Sequence, residues 1–508
     1  MSVTIYSAQV AGLEAQPIAV EVDISPGLHI FSIVGLADKE VQEARERISA
    51  AIRNIGALPP HKKSQRVIVN LAPADIKKEG PAFDLPIALG YLLASRQIQF
   101  DPRGKIFLGE LGLDGSLRHT RGILPMALAA RAAGFSELVV PKGGGREALL
   151  ARGITVFEAA DLGGVVEHLA ERVPLMPLQP EAQEPQTAPG SGLDFSDIKG
   201  QERAKLALEI AAAGAHNILM VGPPGGGKTI LAKALPSILP PLSFEEAVEV
   251  TKIYSVAGLL CEGDAIMRER PFRNPHHTSS YTAIIGGGSY PRPGEATLAH
   301  RGILFLDEFP EFDRRVVEAL RQPLEERAIT VARTQGVQTF PAQFMLVAAM
   351  NPCPCGNAGN PIKDCACPAG AISRYNRKIS GPLIDRIDIH IEVPAVEYEK
   401  LEGEGISSAS QDPRSRVIKA REIQKKRFRG LPISTNGEMS LRELKQFIRI
   451  NESLKPILRS AHEQHQLSAR SYHRLLKLCR TIADLEGSEE IEQRHLLAAL
   501  PYRPKSAT

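Results

Sequence analysis

The sequence lacks the features that would place the protein in a membrane or in a disulfide-rich secreted class. It has no run of about 20 apolar residues, the length that a membrane-spanning helix needs. The first residues, Met1-Ser-Val-Thr-Ile-Tyr, lack the basic start and apolar core of a signal peptide. Tryptophan is absent, and six cysteines in 508 residues are too few for a disulfide scaffold. We therefore expect a cytoplasmic protein with no membrane partner.

The sequence also lacks a strong charge of either sign. The formal net charge is +3, from 61 basic and 58 acidic residues. Such a weak field cannot attract nucleic acid over the whole surface, so DNA binding would need local basic patches. The hydrophobic fraction of 43% is ordinary, and the chain is long enough for several domains that each bury a core.

One glycine-rich stretch has the spacing of a phosphate-binding loop. An apolar run, Ile218 to Val221, precedes Gly-Pro-Pro-Gly-Gly-Gly-Lys228-Thr229, and a helical stretch follows. This order of strand, loop and helix is the context that the pattern G-x-x-x-x-G-K-[ST] requires. Backbone N–H groups would surround phosphate oxygens, Lys228 would reach the β- and γ-phosphates, and Thr229 would hold Mg²⁺. The predicted nucleotide-binding residues are Gly222, Pro223, Pro224, Gly225, Gly226, Gly227, Lys228 and Thr229.

Two later apolar runs end in polar side chains. Ile303-Leu-Phe-Leu is followed by Asp307 and Glu308, and the run from Phe344 to Met350 is followed by Asn351. At the end of a strand, Asp307 would complete the Mg²⁺ shell and Glu308 would polarise the attacking water. Asn351 would lie where parallel sheets place groups that face a ligand.

The first third of the chain, residues 1–170, alternates β-branched runs with alanine-rich helical stretches and has no phosphate-binding loop. Lys78-Glu-Gly-Pro-Ala-Phe-Asp and Leu108-Gly-Glu-Leu-Gly-Leu-Asp resemble segments of the Lon-protease-type domain. The resemblance puts the protease serine at Ala82 and its lysine partner in residues 122–126, which contain no lysine. Since that mechanism needs a hydroxyl and an amine, the resemblance implies a Lon-like domain without protease activity.

Residues 171–192 are rich in proline, glutamine and glutamate, which predicts an extended linker. The three apolar runs after it, each ending in polar groups, resemble the AAA+ superfamily. The fold class is therefore predicted as α/β: a Lon-like domain, an AAA+ domain with a parallel sheet over residues 193–395, and a helical lid over 396–508.

Longer motifs closely resemble the magnesium-chelatase-like AAA+ ATPases of the YifB/ComM family. The runs that carry the resemblance are Arg270-Pro-Phe-Arg-Asn-Pro-His-His-Thr278, Gly286-Gly-Gly288, Pro293-Gly-Glu-Ala-Thr-Leu-Ala-His-Arg-Gly302, Leu320-Arg-Gln-Pro-Leu-Glu325 and Asn351-Pro-Cys-Pro-Cys-Gly356. The resemblance implies ATP as the nucleotide and Asn351 as the sensor-1 residue. It also implies Arg386 as an arginine finger that acts on a neighbouring subunit's ATP and Arg470 as the sensor-2 arginine. Such a finger requires a closed ring, and the family implies a hexamer.

Three segments are candidates for contact with DNA. The β-rich runs around Arg333 predict a hairpin, which similar ring helicases aim into their central pore; an exposed hairpin tip without a DNA contact is the alternative. The segment from Tyr281 to Tyr290 is either a second pore loop, with Tyr290 stacking on a base, or a flexible cover. A basic run could follow a DNA backbone or could be only a solvated helix face. Its members are Arg414, Arg416, Lys419, Arg421, Lys425, Lys426, Arg427 and Arg429.

The resemblance implies a DNA motor of the helicase or branch-migration type that acts in recombination during natural transformation. A protein-remodelling factor or protease-related unfoldase is one alternative, which the missing serine and lysine disfavour. A metal-chelatase-type subunit is another, although no integrin-type metal domain is recognisable.

Four of the six cysteines fall within one short stretch: Cys353, Cys355, Cys365 and Cys367. Two pairs of thiolates could bind Zn²⁺, which would cross-link a loop that has little else to fix it. Redox pairing and unligated structural thiols are the alternatives that the spacing leaves open.

Overall fold

The computed structural model describes residues 2–75, 77–179, 193–260, 266–288, 291–333, 336–359, 363–395, 411–465 and 467–503. The chain forms two compact units. Met1–Gln186 and Phe244–Met267 make the first, and Thr187–Ser243 and Arg268–Thr508 make the second. The C-terminal helices thus belong to the same unit as the glycine-rich loop. The boundaries that the sequence suggested between three domains remain predictions.

A mixed seven-stranded sheet forms the centre of the first unit. Its strand order is β3-β4-β2-β1-β5-β8-β9. The strands of this unit are β1 (Ser2–Ala11), β2 (Glu14–Pro26), β3 (Ile30–Val34), β4 (Gln65–Ala72), β5 (Lys105–Phe107), β6 (Glu110–Leu111), β7 (Leu117–Arg118), β8 (Glu137–Pro141) and β9 (Thr155–Ala159). Antiparallel pairing joins β1, β2 and β4, whereas β3–β4, β1–β5, β5–β8 and β8–β9 are parallel.

Alternate residues of the central strands belong to two separate apolar cores, so both faces of this sheet are buried where helices pack on it. The bounds of these helices are Lys39–Asn54, Asp84–Ala94, Ile123–Ala132, Gly145–Ala148, Leu162–Leu169 and Phe244–Ala257. The second of them, Asp84–Ala94, is buried along nearly its whole length. Gly90 permits its close approach to β2, because a Cβ there would lie 2.6 Å from the Cγ2 atom of Val22. Ala82 lies just before this helix, and its likeness to the protease serine position stays a prediction.

The helix Phe244–Ala257 joins the first unit although the chain around it belongs to the second. Glu147, a buried carboxylate, accepts hydrogen bonds from the hydroxyl of Ser255 and from the backbone N–H of Leu124, the latter at 2.7 Å. Burial raises the pKa of Glu147, and these hydrogen bonds oppose that rise. The contacts fix the helix to its unit through a polar group that the interior would otherwise leave unsatisfied.

A five-stranded parallel sheet, ordered β11-β14-β17-β10-β18, forms the centre of the second unit. The strands of this unit are β10 (Ile218–Val221), β11 (Phe272–Arg273), β12 (Gly286–Gly287), β13 (Arg292–Pro293), β14 (Ile303–Leu306), β15 (Ala328–Arg333), β16 (Gly336–Pro341), β17 (Met345–Met350) and β18 (Ile389–Glu392). Every residue of β14 and β17 is buried, which explains why both read as unbroken apolar runs. The three apolar runs that the sequence assigned to strands are therefore confirmed as neighbours in one sheet.

The predicted hairpin is also confirmed, since β15 and β16 pair antiparallel from Ala328↔Pro341 to Arg333↔Gly336. Residues 334–335, the side chain of Arg333 and Tyr290 lie outside what the structure describes, so their proposed contacts with DNA stay predictions.

The helices described in the second unit are Glu202–Gly214, Lys228–Ala234, Tyr281–Ile285, Glu295–Leu298, Arg314–Ala319, Arg321–Glu326, Ala369–Asn376, Gly381–Ile384, Gln411–Arg427, Leu441–Phe447, Lys455–His465, Ala469–Leu485 and Gln493–Ala499. The first two and the last five of these helices share one core with the sheet. The longest C-terminal helices, Gln411–Arg427 and Ala469–Leu485, both contribute to this core. None of the helices in the described ranges has both the length and the apolar character needed to cross a bilayer.

Candidate nucleotide site

The glycine-rich loop connects β10 to the helix Lys228–Ala234 and is held against neighbouring backbone. A Cβ at Gly222 would lie 2.0 Å from the carbonyl oxygen of Val393, so no larger residue fits there. Gly227 has a φ of +85°, in the left-handed region that favours glycine. The loop therefore owes its path to two glycines with different constraints.

Lys228 is the first residue of the helix after this loop, and its side chain is buried against the loop backbone. Its ammonium Nζ donates to the carbonyl oxygens of Gly222 at 2.6 Å and Pro223 at 2.9 Å, and to Oδ1 of Asn351 at 3.2 Å. Burial lowers the pKa of Lys228, and the charge of Asp307 opposes that shift. The contact with Asn351 joins the loop to the end of β17, as the sequence led us to expect of strand ends.

Thr229 and Asp307 place two oxygen atoms that could ligate a metal close together beside Lys228. The Thr229 hydroxyl donates to Oδ2 of Asp307 at 2.7 Å, and the backbone N–H of Glu308 donates to Oδ1 at 2.9 Å. Hydroxyl and carboxylate oxygens are the ligands that Mg²⁺ prefers. Ligands on adjacent corners of its octahedron are about 2.9 Å apart, given Mg–O distances of 2.0–2.1 Å. The spacing of these oxygens fits such an ion.

Glu308 is in the left-handed region, with a φ of +51°, and its side chain is half-exposed. Its Oε2 lies 3.1 Å from Nδ1 of His277. Non-glycine residues with such backbone angles are uncommon and concentrate at functional sites. His277 belongs to the segment after β11, the strand next to β14. Sequence reasoning did not select it as a site residue, although its position after a neighbouring strand was the available signal.

Gln201 is a second residue that sequence reasoning missed. Its amide Nε2 donates to the carbonyl oxygens of Gly226 at 3.2 Å and Pro394 at 2.7 Å. It therefore links the glycine-rich loop to the segment that follows β18. A glutamine before a helix carries no distinctive spacing, so only the fold reveals this contact.

The two predicted arginines lie at the opposite edge of the sheet. Arg386 precedes β18, which pairs in parallel with β10 so that Ile389 faces Ile218. Each strand is four residues long, so its first and last residues are about 10 Å apart at about 3.3 Å per residue. The glycine-rich loop follows the far end of β10. The structure thus gathers the loop, Asp307 and Asn351 together and keeps Arg386 away from them.

Arg386 and Arg470 converge on one carboxylate. Arg386 is buried, with Nη2 2.6 Å from Oε1 of Glu325, and Arg470 contacts the same oxygen. The hydrogen bond from Arg386 lowers the pKa of Glu325, against an opposing effect of burial, and both guanidinium charges add to the lowering. Glu325 belongs to the helix Arg321–Glu326. Within one chain, Glu325 thus pairs with both arginines away from the glycine-rich loop. The roles of the two arginines toward a nucleotide stay predictions.

Asp388, two residues after Arg386, ties this edge to the C-terminal helices. Its carboxylate accepts from the backbone N–H of Asn217 at 3.1 Å and lies 3.4 Å from Nη1 of Arg474 and 3.6 Å from Nδ1 of His216. Burial alone would raise the pKa of Asp388, but Arg474, His216 and Lys477 together lower it well below its usual range. The folded state therefore depends on the ionised carboxylate.

The cysteine cluster lies on the segment after β17. All four sulfurs, from Cys353, Cys355, Cys365 and Cys367, lie within 4.8 Å of one another. Four cysteine sulfurs held this close together are a ligand set that could hold a metal ion.

The basic run lies on the helix Gln411–Arg427, with Arg429 just after its end, and its members either pair within the unit or are exposed at the surface. Arg416 and Arg427 pair with Glu209 and Asp484, at 2.6 Å and 2.7 Å, within the unit. Arg421 donates to the carbonyl oxygen of Ala212. Five members of the run have exposed side chains: Arg414, Lys419, Lys425, Lys426 and Arg429. Only this part of the run is placed for contact with a phosphate backbone.

Three segments match known families. Residues 194–401 match magnesium chelatase, subunit ChlI; residues 20–144 match subunit ChlI of Mg-chelatase; and residues 407–503 match magnesium chelatase, subunit ChlI C-terminal. Competence protein ComM of Haemophilus influenzae is 41% identical over 98% of this chain and 97% of its own length. Protein YifB of Escherichia coli K12 is 42% identical over 99% of this chain and 97% of its own length. The magnesium-chelatase 38 kDa subunit of Rhodobacter capsulatus is 29% identical over 34% of this chain and 54% of its own length.

Asp388→Asn is expected to lower the free energy of unfolding by roughly 3–5 kcal/mol, because it leaves Arg474 buried without its counter-charge. A lowered carboxylate pKa stabilises the fold above the unfolded value of about 3.9 and loses that contribution as pH falls toward the folded value. Wild-type stability should therefore fall more steeply than that of the variant below about pH 4. Denaturant unfolding at several pH values measures both effects.

Glu463→Gln, which changes an exposed carboxylate in the same unit, is the matched control and should stay within about 0.5 kcal/mol of wild type. Equal stability of Asp388→Asn and this control would contradict the role given to the buried carboxylate.

Proposed function

The chain belongs to the YifB/ComM family of magnesium-chelatase-like proteins, and we propose that it is a ring-forming AAA+ ATPase that moves on DNA. The observation that carries the ATPase part is the meeting of Lys228, Thr229, Asp307 and Asn351 at one edge of a parallel sheet. Their chemistry, an ammonium beside two Mg²⁺-type oxygen donors, suits a nucleoside triphosphate.

The proposed cofactors are ATP and Mg²⁺, with Zn²⁺ at the cysteine cluster. Thr229 and Asp307 would hold Mg²⁺, which neutralises charge on the transferring phosphate. Lys228 would exchange its carbonyl partners for phosphate oxygens, and the loop N–H groups would bind the others. Glu308 would orient the attacking water and accept its proton, with His277 setting the position of its carboxylate.

We propose further that each ATP site is completed by a neighbouring copy. Within its own chain Arg386 precedes β18 and so lies at the edge of the sheet opposite the glycine-rich loop, which supports a role toward another subunit's phosphate. An arginine supplied in this way can contribute on the order of 10³–10⁵ in rate. Rings close when such head-to-tail contacts repeat, and a hexamer is the size that the family suggests.

DNA is the proposed substrate of movement, in recombination during natural transformation and in the cytoplasm. A relative named as a competence protein supports this assignment, and the exposed part of the basic helix offers phosphate contacts. The hairpin of β15 and β16 is the element that we propose contacts the DNA strand.

Lys228→Ala is expected to weaken nucleotide binding by on the order of 10²-fold, because it removes a charge-assisted hydrogen bond to phosphate. Glu308→Gln should bind nucleotide with wild-type affinity yet hydrolyse it about 10²–10⁴-fold more slowly, since it lacks only the general base. Fluorescent-nucleotide titration and phosphate release measure the two quantities separately.

Lys233→Ala, an exposed lysine on the same helix, is the matched control and should change neither quantity. Undiminished ATP hydrolysis in both Lys228→Ala and Glu308→Gln would overturn the assignment of the site.

The DNA assignment predicts that single-stranded, duplex or four-way-junction DNA stimulates ATP hydrolysis. Replacing Lys425 and Lys426 together with glutamine should weaken DNA binding and reduce its logarithmic salt dependence by about 1–2, the loss of one or two phosphate contacts. Lys445→Gln, an exposed lysine on another helix, serves as control. If none of the three DNAs stimulates hydrolysis, the motor acts on another substrate, and protein remodelling takes the place of DNA movement.

A further inference from the structure

The segment from Asn351 to Pro368 leaves the sheet beside the glycine-rich loop and reaches the helix Ala369–Asn376. Its described residues, 351–359 and 363–368, contain no helix or strand. Within them, the buried side chain is that of Cys353, which is fully enclosed. Long connections without secondary structure are uncommon in compact domains unless they are functional or held by a cross-link. This segment therefore needs something other than apolar packing to fix its path.

The four cysteine sulfurs converge on a single point. Cys353 Sγ lies 3.4 Å from Cys355 Sγ and 3.6 Å from Cys365 Sγ, and the last two are 3.6 Å apart. Cys367 joins them within the same 4.8 Å limit. A Zn²⁺ ion with Zn–S bonds of about 2.3 Å places its four sulfurs about 3.8 Å apart. The observed separations are those of a slightly irregular tetrahedron of this size.

Disulfide pairing accounts less well for this arrangement. A disulfide brings two sulfurs to about 2.05 Å and leaves the other pair independent of it. Here three sulfurs form a nearly equilateral triangle and the fourth lies close to all of them. A shared central ligand accounts for the positions of all four sulfurs at once.

Two contacts connect this cluster to the nucleotide site. Asn351, two residues before Cys353, accepts a hydrogen bond from Lys228. Gly356, next to Cys355, packs so closely on the loop that a Cβ there would lie 2.5 Å from Cδ of Pro224. The cluster thus lies between the end of β17 and one wall of the glycine-rich loop.

We infer that the four cysteines hold one Zn²⁺ ion that fixes Asn351 and the Pro224 wall of the loop in position for nucleotide. A tetrahedral site of four thiolates suits zinc or an iron–sulfur cluster, and a fixed, redox-inactive ion suits a positioning role. The metal site stands on the sulfur geometry alone, whereas the positioning role rests on the proposed ATPase function.

The first experiment measures metal in the full-length protein, purified under reducing conditions and dialysed against metal-free buffer. Mass spectrometry should find one zinc per chain, and replacement by Co²⁺ should give the absorption of tetrahedral cobalt thiolate. The double substitution Cys365→Ser, Cys367→Ser should lose the metal, and Cys261→Ser, outside the cluster in sequence, should keep it. Iron with a sulfide-cluster spectrum, or no metal after incubation with Zn²⁺, would overturn the zinc site.

The second experiment measures affinity for a fluorescent ADP analogue with and without the metal. Removal by a chelator should weaken binding about 10-fold, and added Zn²⁺ should restore it. In Asn351→Ala the same removal should cost less, because effects that act through one residue are not additive. Equal loss in both backgrounds, or unchanged affinity without the metal, would overturn the positioning role. Stoichiometric zinc in a protein that binds no nucleotide would contradict both the positioning role and the proposed ATPase function, while supporting the metal site.

Discussion

The parallel register of β10 with its two neighbours is the constraint on which the second unit depends. Pairing of Val221 with Met350 brings the glycine-rich loop next to Asn351, and pairing of Ile218 with Ile389 brings Asn217 next to Asp388. Since parallel strands begin at one edge of a sheet and end at the other, groups on the same edge meet and groups on opposite edges do not. The residues suited to bind phosphate therefore lie at one edge of the sheet, and Arg386 and Arg470 lie at the other.

Each edge carries buried charge that its surroundings compensate. At one edge, Lys228 is held by two loop carbonyls and an amide oxygen. At the other, buried Asp388 balances Arg474, and the more exposed Glu325 pairs with Arg386, the predicted arginine finger, and Arg470, the predicted sensor-2 residue. Buried charges of this kind persist only with partners. A phosphate of the nucleotide on a neighbouring subunit could replace Glu325 as the partner of Arg386. Contact between subunits would then be coupled to nucleotide binding.

Much of this arrangement could be predicted from the sequence, because apolar runs that end in polar residues specify strand ends. That rule predicts Lys228, Asp307 and Asn351 at the same edge of the sheet, and the structure joins Lys228 to Asn351 and Thr229 to Asp307 by hydrogen bonds; their roles toward a nucleotide stay predictions. His277, Gln201 and Glu325 were missed, since their roles arise from tertiary contacts between residues that are 25 to 193 positions apart in sequence. Likewise, no local sequence pattern shows that the helix Phe244–Ala257 belongs to the first unit or that Arg416 forms an ion pair with Glu209.

The most direct test of a site shared between copies mixes two inactive variants. Arg386→Ala should hydrolyse ATP on the order of 10³-fold more slowly or worse, and Glu308→Gln, which keeps Arg386, should also be nearly inactive. In an equal mixture that assembles at random, about one quarter of interfaces combine an intact Glu308 with a neighbour's intact Arg386. The account predicts recovery of about that fraction of wild-type ATP hydrolysis, whereas a mixture no more active than the two variants alone would contradict it.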